Sequence, residues 1–183
     1  MVSKVSRRNF LKGAAAMTVA AAASTLLAGC SGNGGNDVPD PNTITLGDYK
    51  VKVTLADKDQ SKTETGTGNN AKVVEKIQPT VSISYSGAGF TGLFYNDVFA
   101  ATMGDKEMKL NNKAGMIVSK DFGNLSGVVS SFVAYKPEFQ TDDKDLIAQY
   151  NSGKTVMKLK VVLDKETAVF TIKNDCTVTA SKL

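Results

Sequence analysis

The sequence predicts a mainly β domain over residues 43–183, an antiparallel sandwich of two sheets with one short helix. Three observations point there. Apolar and polar residues alternate at period two along most of that span, clusters of Gly, Pro, Asn and Asp interrupt the alternation at regular spacing, and only one stretch carries helix signals. A small barrel is the alternative way to close so many short strands.

The elements follow in order. Ile44 and Leu46, then Tyr49, Val51, Val53 and Leu55, alternate with polar residues on either side of Gly47-Asp48, which predicts two strands or one bent strand. Residues 57–70 are polar, with Gly and Thr, and read as a mobile loop. Residues 73–77 and 80–85 are strands flanking Gln78-Pro79, a turn or edge position because proline cannot donate to a ladder. Residues 90–103 are apolar and read as strand, with residues 107–110 as the hairpin partner. Strands at 114–119 and 127–135 flank a turn over 121–127.

The helix falls at 141–153. Thr141 can cap its orphan amides, Asp142 and Asp143 suit the positive end of the dipole, Leu146, Ile147 and Tyr150 share a face, and Gly153 can close it. Met157, Leu159, Val161 and Leu163 then alternate with polar residues, Asp164-Lys165 turns the chain into a strand at 169–172, and residues 176–179 add an edge. Residues 44–53 and 151–161 resemble the first and late strands of small immunoglobulin-like domains found in many bacterial lipoproteins. The resemblance implies an immunoglobulin-like β-sandwich, and a fold rather than an activity.

Residues 1–29 have the order of a signal peptide and stand apart from the fold. A basic segment (Lys4, Arg7, Arg8, Lys12) precedes a weakly apolar run at 14–27 and small residues ending at Cys30. The run falls short of the roughly 20 residues needed to span a bilayer. Ser6-Arg7-Arg8-Asn9-Phe10-Leu11-Lys12 resembles the twin-arginine (Tat) export motif, which a receptor reads as an address. That resemblance implies passage of a folded chain through the Tat translocase. Leu27-Ala28-Gly29-Cys30 resembles the lipobox of bacterial lipoproteins, whose processing enzymes acylate the cysteine and cleave before it. It implies lipidation of Cys30 and anchoring on the extracytoplasmic face of a bacterial cell membrane, since two acyl chains hold stably where one does not. Residues 30–42 then supply the lipidated cysteine and a Gly-, Asn- and Pro-containing tether, about 20 Å long as a random coil.

Setting the signal aside reverses the charge argument. The chain has 22 basic and 18 acidic residues, net +4, but residues 1–29 hold four basic residues and no acidic ones. The mature part therefore carries 18 of each, and the case for nucleic acid as a partner disappears. With Cys30 acylated, Cys176 has no intramolecular partner, and its expected role is that of an inert residue beside a strand.

The chemistry is defined by what is missing. The chain has no histidine, so it lacks the commonest general base and metal ligand, and Ser-His or Cys-His triads are impossible. It contains neither a phosphate-cradling glycine loop nor a dinucleotide fingerprint. No catalytic residue, no metal site and no cofactor is therefore expected, although Tat export often serves cofactor proteins. Asp142, Asp143 and Asp145 could offer oxygens to calcium, but the loop spacing with its closing glutamate is missing and helix-start charges explain them better; Asp57 and Asp59 lack that spacing too. Tyr85, Phe90, Phe94, Tyr95 and Phe99 could form a stacking platform, but in a chain without tryptophan they are expected to be core. Lys158 and Lys160 read as the solvated side of a half-buried sheet. The terminal Ser181-Lys182-Leu183 and the acceptor pattern Asn124-Leu125-Ser126 belong to other compartments and carry no weight.

The function expected is that of a membrane-anchored, extracytoplasmic, non-catalytic module of the cell envelope, binding an envelope protein, peptide or glycan or assisting a neighbouring complex. The alternative is a hydrolase working with carboxylates alone, such as a glycosidase, whose acid pair must converge in space.

Overall fold

Three long antiparallel strands cross a corner together, and that corner organises the molecule. The computed structural model describes residues 40–66, 71–87, 92–118, 122 and 132–183. The signal residues, Leu27 to Cys30, the tether up to residue 39, Phe90 and Asn124-Leu125-Ser126 lie outside the described residues.

Strands β1 (Thr43–Leu46) and β2 (Tyr49–Thr54) form a hairpin across Gly47-Asp48. A short 3-10 turn at Asp57–Asp59 leads into β3 (Gln60–Thr65), which pairs with β4 (Lys72–Ile77), while β5 (Thr80–Tyr85) returns along β2. In this ribbon Thr54 faces Thr80 and Gln60 faces Ile77, so residues 55–59 stand against residues 78–79. Such a bulge bends and twists the strand that carries it. The Asp59 amide donates to the Ala56 carbonyl and the Gln78 amide to the Asp59 carbonyl, each at 2.9 Å, so the excess chain stays tied.

The third strand crosses without a bulge. Strand β11 (Val133–Tyr135) pairs with β5, and β12 (Phe139–Thr141) pairs with β4 in the same register, Tyr135 facing Val81 and Phe139 facing Ile77. That register sets Pro137 opposite Pro79. Neither proline can donate to the other, so the ladder is interrupted on both strands at one level and the sheet bends there. Gln78-Pro79 is thus not a hairpin turn but a break between β4 and β5, with the 55–59 bulge on one side and residues 136–138 on the other. The sheets β1-β2-β5-β11 and β3-β4-β12-β9, where β9 is Lys109–Leu110, are two arms of one bent layer.

The opposing layer has five strands in the order β15-β14-β13-β7-β8. Here β7 is Phe99–Met103, β8 Lys106–Glu107, β13 Met157–Leu163, β14 Glu166–Ile172 and β15 Val178–Lys182. The β13–β14 hairpin closes over Asp164 and Lys165, both at positive φ, which fits the twist of the flanking strands. A two-stranded ribbon of β6 (Leu93–Phe94) and β10 (Met116–Ile117) completes the sheets.

Inward residues of both layers join one core. It contains Val51, Ile83, Ile77 and Phe139 from the bent layer and Met157, Leu159, Val161, Phe170 and Ile172 from the other. Lys158 and Lys160 face solvent, as the alternation predicts. The mainly β, antiparallel class and its sandwich layering are as expected. The barrel alternative is not adopted among the described sheets: β1 and β15 meet through a bond from the Ala180 amide to the Pro41 carbonyl and form no ladder.

Four expectations need correction. Residues 57–70 contain the 3-10 turn and strand β3, where a loop was expected, because a strand exposed on both faces has no apolar period to read. Residues 90–103 are interrupted by a helical turn, α1 (Tyr95–Val98), which makes two helices where one was expected; its Tyr95 and Val98 share the buried face. Residues 107–110 divide at Met108: β8 is the hairpin partner of β7, whereas β9 leaves to pair with β12. Thr141 ends β12, and the cap of α2 (Lys144–Asn151) is Asp143, whose carboxylate accepts from the amides of Asp145 and Leu146. Gly153, at φ +75°, closes the helix as expected.

Candidate functional site

The polar constellation around Cys176 gathers residues from four separate elements. Cys176 lies in the turn between β14 and β15 at φ +67°, a conformation unusual for a residue with a side chain. The Tyr150 hydroxyl, from α2, donates to Gln60 Oε1 at 3.2 Å; Gln60 Nε2, at the start of β3, donates to Cys176 Sγ at 3.2 Å; and the thiol donates to Asp57 Oδ1 at 3.3 Å. Gln60 Nε2 also reaches the Asn174 carbonyl at 3.5 Å. Glu75, on the inward face of β4, is 2% exposed.

These surroundings favour neutral forms. Burial above all, then the hydrogen bond to the Asp57 carboxylate, pushes the Cys176 thiol up to about 11. Burial first, then the nearby Cys176 and Glu75, pushes the Tyr150 hydroxyl well above the ordinary phenol range. The thiolate is the nucleophilic form of cysteine, so the raised pKa disfavours reaction of this thiol at neutral pH. It is a hydrogen-bonding part of this cluster. In the folded protein at pH 8, Cys176 should react with a maleimide about 100-fold more slowly than an ordinary cysteine, and the rate should climb as pH approaches 11. A rate equal to that of free cysteine at pH 8 would contradict this arrangement.

The other singled-out residues fall into place. Asp143 caps α2 and pairs with Lys106; first the Lys106 hydrogen bond, then the Leu146 amide, holds its carboxyl below the usual range. It is thereby committed to structure. No group of three or more Cys, Asp or Glu suited to a metal occurs among the described residues, Asp142, Asp145, Asp57 and Asp59 included. Tyr85, Tyr95 and Phe99 are core, whereas Phe94 is exposed at 46% and lies opposite Met116 on the β6–β10 ribbon. Tyr85 stacks on Tyr49 with ring centroids 4.7 Å apart, and burial, then Tyr85, pushes the Tyr49 hydroxyl up to about 12.

One groove bears directly on the choice between binding and catalysis. It lies on the outer face of the five-stranded layer and has a volume of about 330 Å³. Ala100 and Val169 contribute its apolar floor, with Lys158 and Lys160 on one side and Asp105 and Glu107 on the other. The ladder explains the arrangement, since Lys158 faces Thr102 on β7, and Thr102 faces Glu107 on β8. Sequence alternation places the lysines outward, but only the pairing of β7 with both β13 and β8 brings the opposite charges to one groove. Asp40, Glu138, Asp143, Glu166 and Asp175 are held below the usual range, chiefly by hydrogen bonds to Lys52, Asn111, Lys106, Lys182 and the Thr177 amide respectively.

The comparisons with known proteins bear on the N-terminal segment. The model of the TAT (twin-arginine translocation) pathway signal sequence matches residues 4–24. No curated protein and no solved structure matches the chain. The chain is thus an exported protein. It carries a Tat signal, which directs it across the cytoplasmic membrane and names the Tat translocase as its partner in that step.

Proposed function

We propose that the exported chain is a lipoprotein, acylated on Cys30 and held on the outer face of the cytoplasmic membrane, whose β domain is a non-catalytic binding or accessory module of the cell envelope. The observation that carries this reading is the placement of Leu27-Ala28-Gly29-Cys30 just two residues beyond the Tat signal at 4–24. The sequence reading divides the chain into a signal at 1–29, a lipidated tether at 30–42 and one domain at 43–183. Leu27, Ala28 and Gly29 fit the processing enzyme, and Cys30 the acyl transfer. The likeness of residues 44–53 and 151–161 to strands of immunoglobulin-like lipoprotein domains agrees with this assignment.

The module reading draws support from the groove bearing Lys158, Lys160, Asp105 and Glu107. An apolar floor with a few charged groups at its rim suits a polar ligand such as a peptide or glycan segment.

The test is Cys30→Ala in the producing cell. The wild-type chain should take up labelled fatty acid and partition into detergent, whereas the variant should be unlabelled and leave the membrane fraction. Unchanged labelling and partitioning would defeat the lipoprotein reading. Hydrolysis of a glycan panel by the wild-type chain, lost in Glu107→Gln, would replace the module with the carboxylate hydrolase.

A further inference from the structure

Among the described residues strand β3 is the outer strand of its sheet arm, in the order β3-β4-β12-β9, and residues 61–65 are exposed on both faces. An open edge of this kind is a template for another strand. Which main-chain groups it offers follows from the ladder. The Asn111 amide bonds the Glu138 carbonyl, so β12 turns Glu138 and Gln140 toward β9, and Phe139 and Thr141 toward β4. Through the register, Ile77 and Glu75 of β4 then bond β12, while Lys76, Val74 and Lys72 bond Ser61, Thr63 and Thr65 of β3. The bond from the Gln78 amide to the Asp59 carbonyl has the same parity. The N–H and C=O groups of Lys62 and Glu64 therefore point out of the open edge.

Charge selects what can pair with that edge. Residues 61–65 read Ser-Lys-Thr-Glu-Thr, with Thr63 central and Lys62 and Glu64 on one face, 3.1 Å apart as an ion pair. When two such strands lie antiparallel with Thr63 opposite Thr63, each Lys62 stands opposite the other copy's Glu64. The same register brings outward-facing main-chain groups together, giving about four main-chain hydrogen bonds over the two Lys–Glu positions. Sliding by two residues either way sets Lys62 against Lys62 or Glu64 against Glu64, and like charges directly opposite are destabilising. Sliding by one sets outward groups against inward ones. The charges that deter foreign strands thus leave one register open to a second copy.

We propose that β3 is a self-complementary docking edge through which two copies of this chain join antiparallel, with Thr63 at the twofold axis and Lys62 of each copy opposite Glu64 of the other. The two bent layers then become one continuous sheet across the dimer. Because the contact is isologous, it closes at two copies and does not propagate.

Sedimentation of the full chain, extracted from producing cells in mild detergent, tests the proposal. The wild type should show a monomer–dimer equilibrium. Lys62→Glu and Glu64→Lys, each of which creates two like-charge oppositions per dimer, should weaken it at least about tenfold. The double variant Lys62→Glu/Glu64→Lys should restore it, because the exchange leaves the edge self-complementary. A second readout is oxidation of Thr63→Cys. Directly opposite residues in a non-hydrogen-bonded pair lie about 4.5 Å apart at Cα, within the disulfide range. That variant should form covalent dimers, and Ser61→Cys alone, like the parent chain, should not. A wild type that stays monomeric at all accessible concentrations, a double variant as weak as the single ones, or equal crosslinking at positions 61 and 63 would each overturn the proposal.

Discussion

Replacing Arg7 and Arg8 together with lysine should abolish export: the full-length precursor should accumulate in the cytoplasm and leave the extracytoplasmic fraction empty. Charge is unchanged by this substitution, so the expected loss isolates recognition from electrostatics. The arginine pair lies inside the matched signal at 4–24, with Ser6 before it and Asn9, Phe10, Leu11 and Lys12 after it. The guanidinium offers a planar fork of donors that an ammonium cannot reproduce. Fractionation with immunodetection reads the result directly. Continued appearance of the double variant outside the cytoplasm at wild-type level would show that another pathway carries the chain.

Phe139→Ala should unfold the domain far more readily than any surface change. Phe139 is fully buried, follows Pro137 by two residues and stands between Ile77 and Leu110 in the ladder, so its ring fills the core beside the bend. Removing a buried phenylalanine costs about 3–5 kcal/mol, because the surroundings close only part of the cavity. Whole domains are stable by only about 5–15 kcal/mol. Urea unfolding should show the drop, with Lys158→Ala as a solvent-facing reference expected to change stability by less than about 0.5 kcal/mol. A loss below about 1 kcal/mol for Phe139→Ala would mean that the bend is held by something other than core packing.

The parts of the fold that could be read directly are those where one face is buried and the other wet. Along β13, Met157, Leu159, Val161 and Leu163 point inward and Lys158 and Lys160 outward, and the period of two survives intact. Strand β3 could not be read, since Ser61 to Thr65 are exposed on both faces and its existence depends on pairing with β4. Residues 93–103 misled for the opposite reason: eight of the eleven are apolar, so alternation is lost and the single turn of α1 leaves no period. The prolines showed that Pro79 would interrupt a ladder, but not that Pro137 would stand opposite it and turn two interruptions into a corner. The Cys176 cluster was equally invisible, because Asp57, Gln60, Tyr150 and Cys176 are brought together by four different elements.

By itself the sequence determined the Tat signal, the neutrality of residues 30–183, the absence of histidine chemistry and the mainly β class. Each of these depends on residue identity or on spacing within one segment, which a linear chain displays in full. Only the tertiary structure decided the bent layer, the hydrogen-bond partners of the Cys176 thiol, the mixed-charge groove of Lys158, Lys160, Asp105 and Glu107, and the edge position of β3 among the described strands. Each of those depends on which strand lies beside which, and pairing between distant strands is set by burial of the whole core.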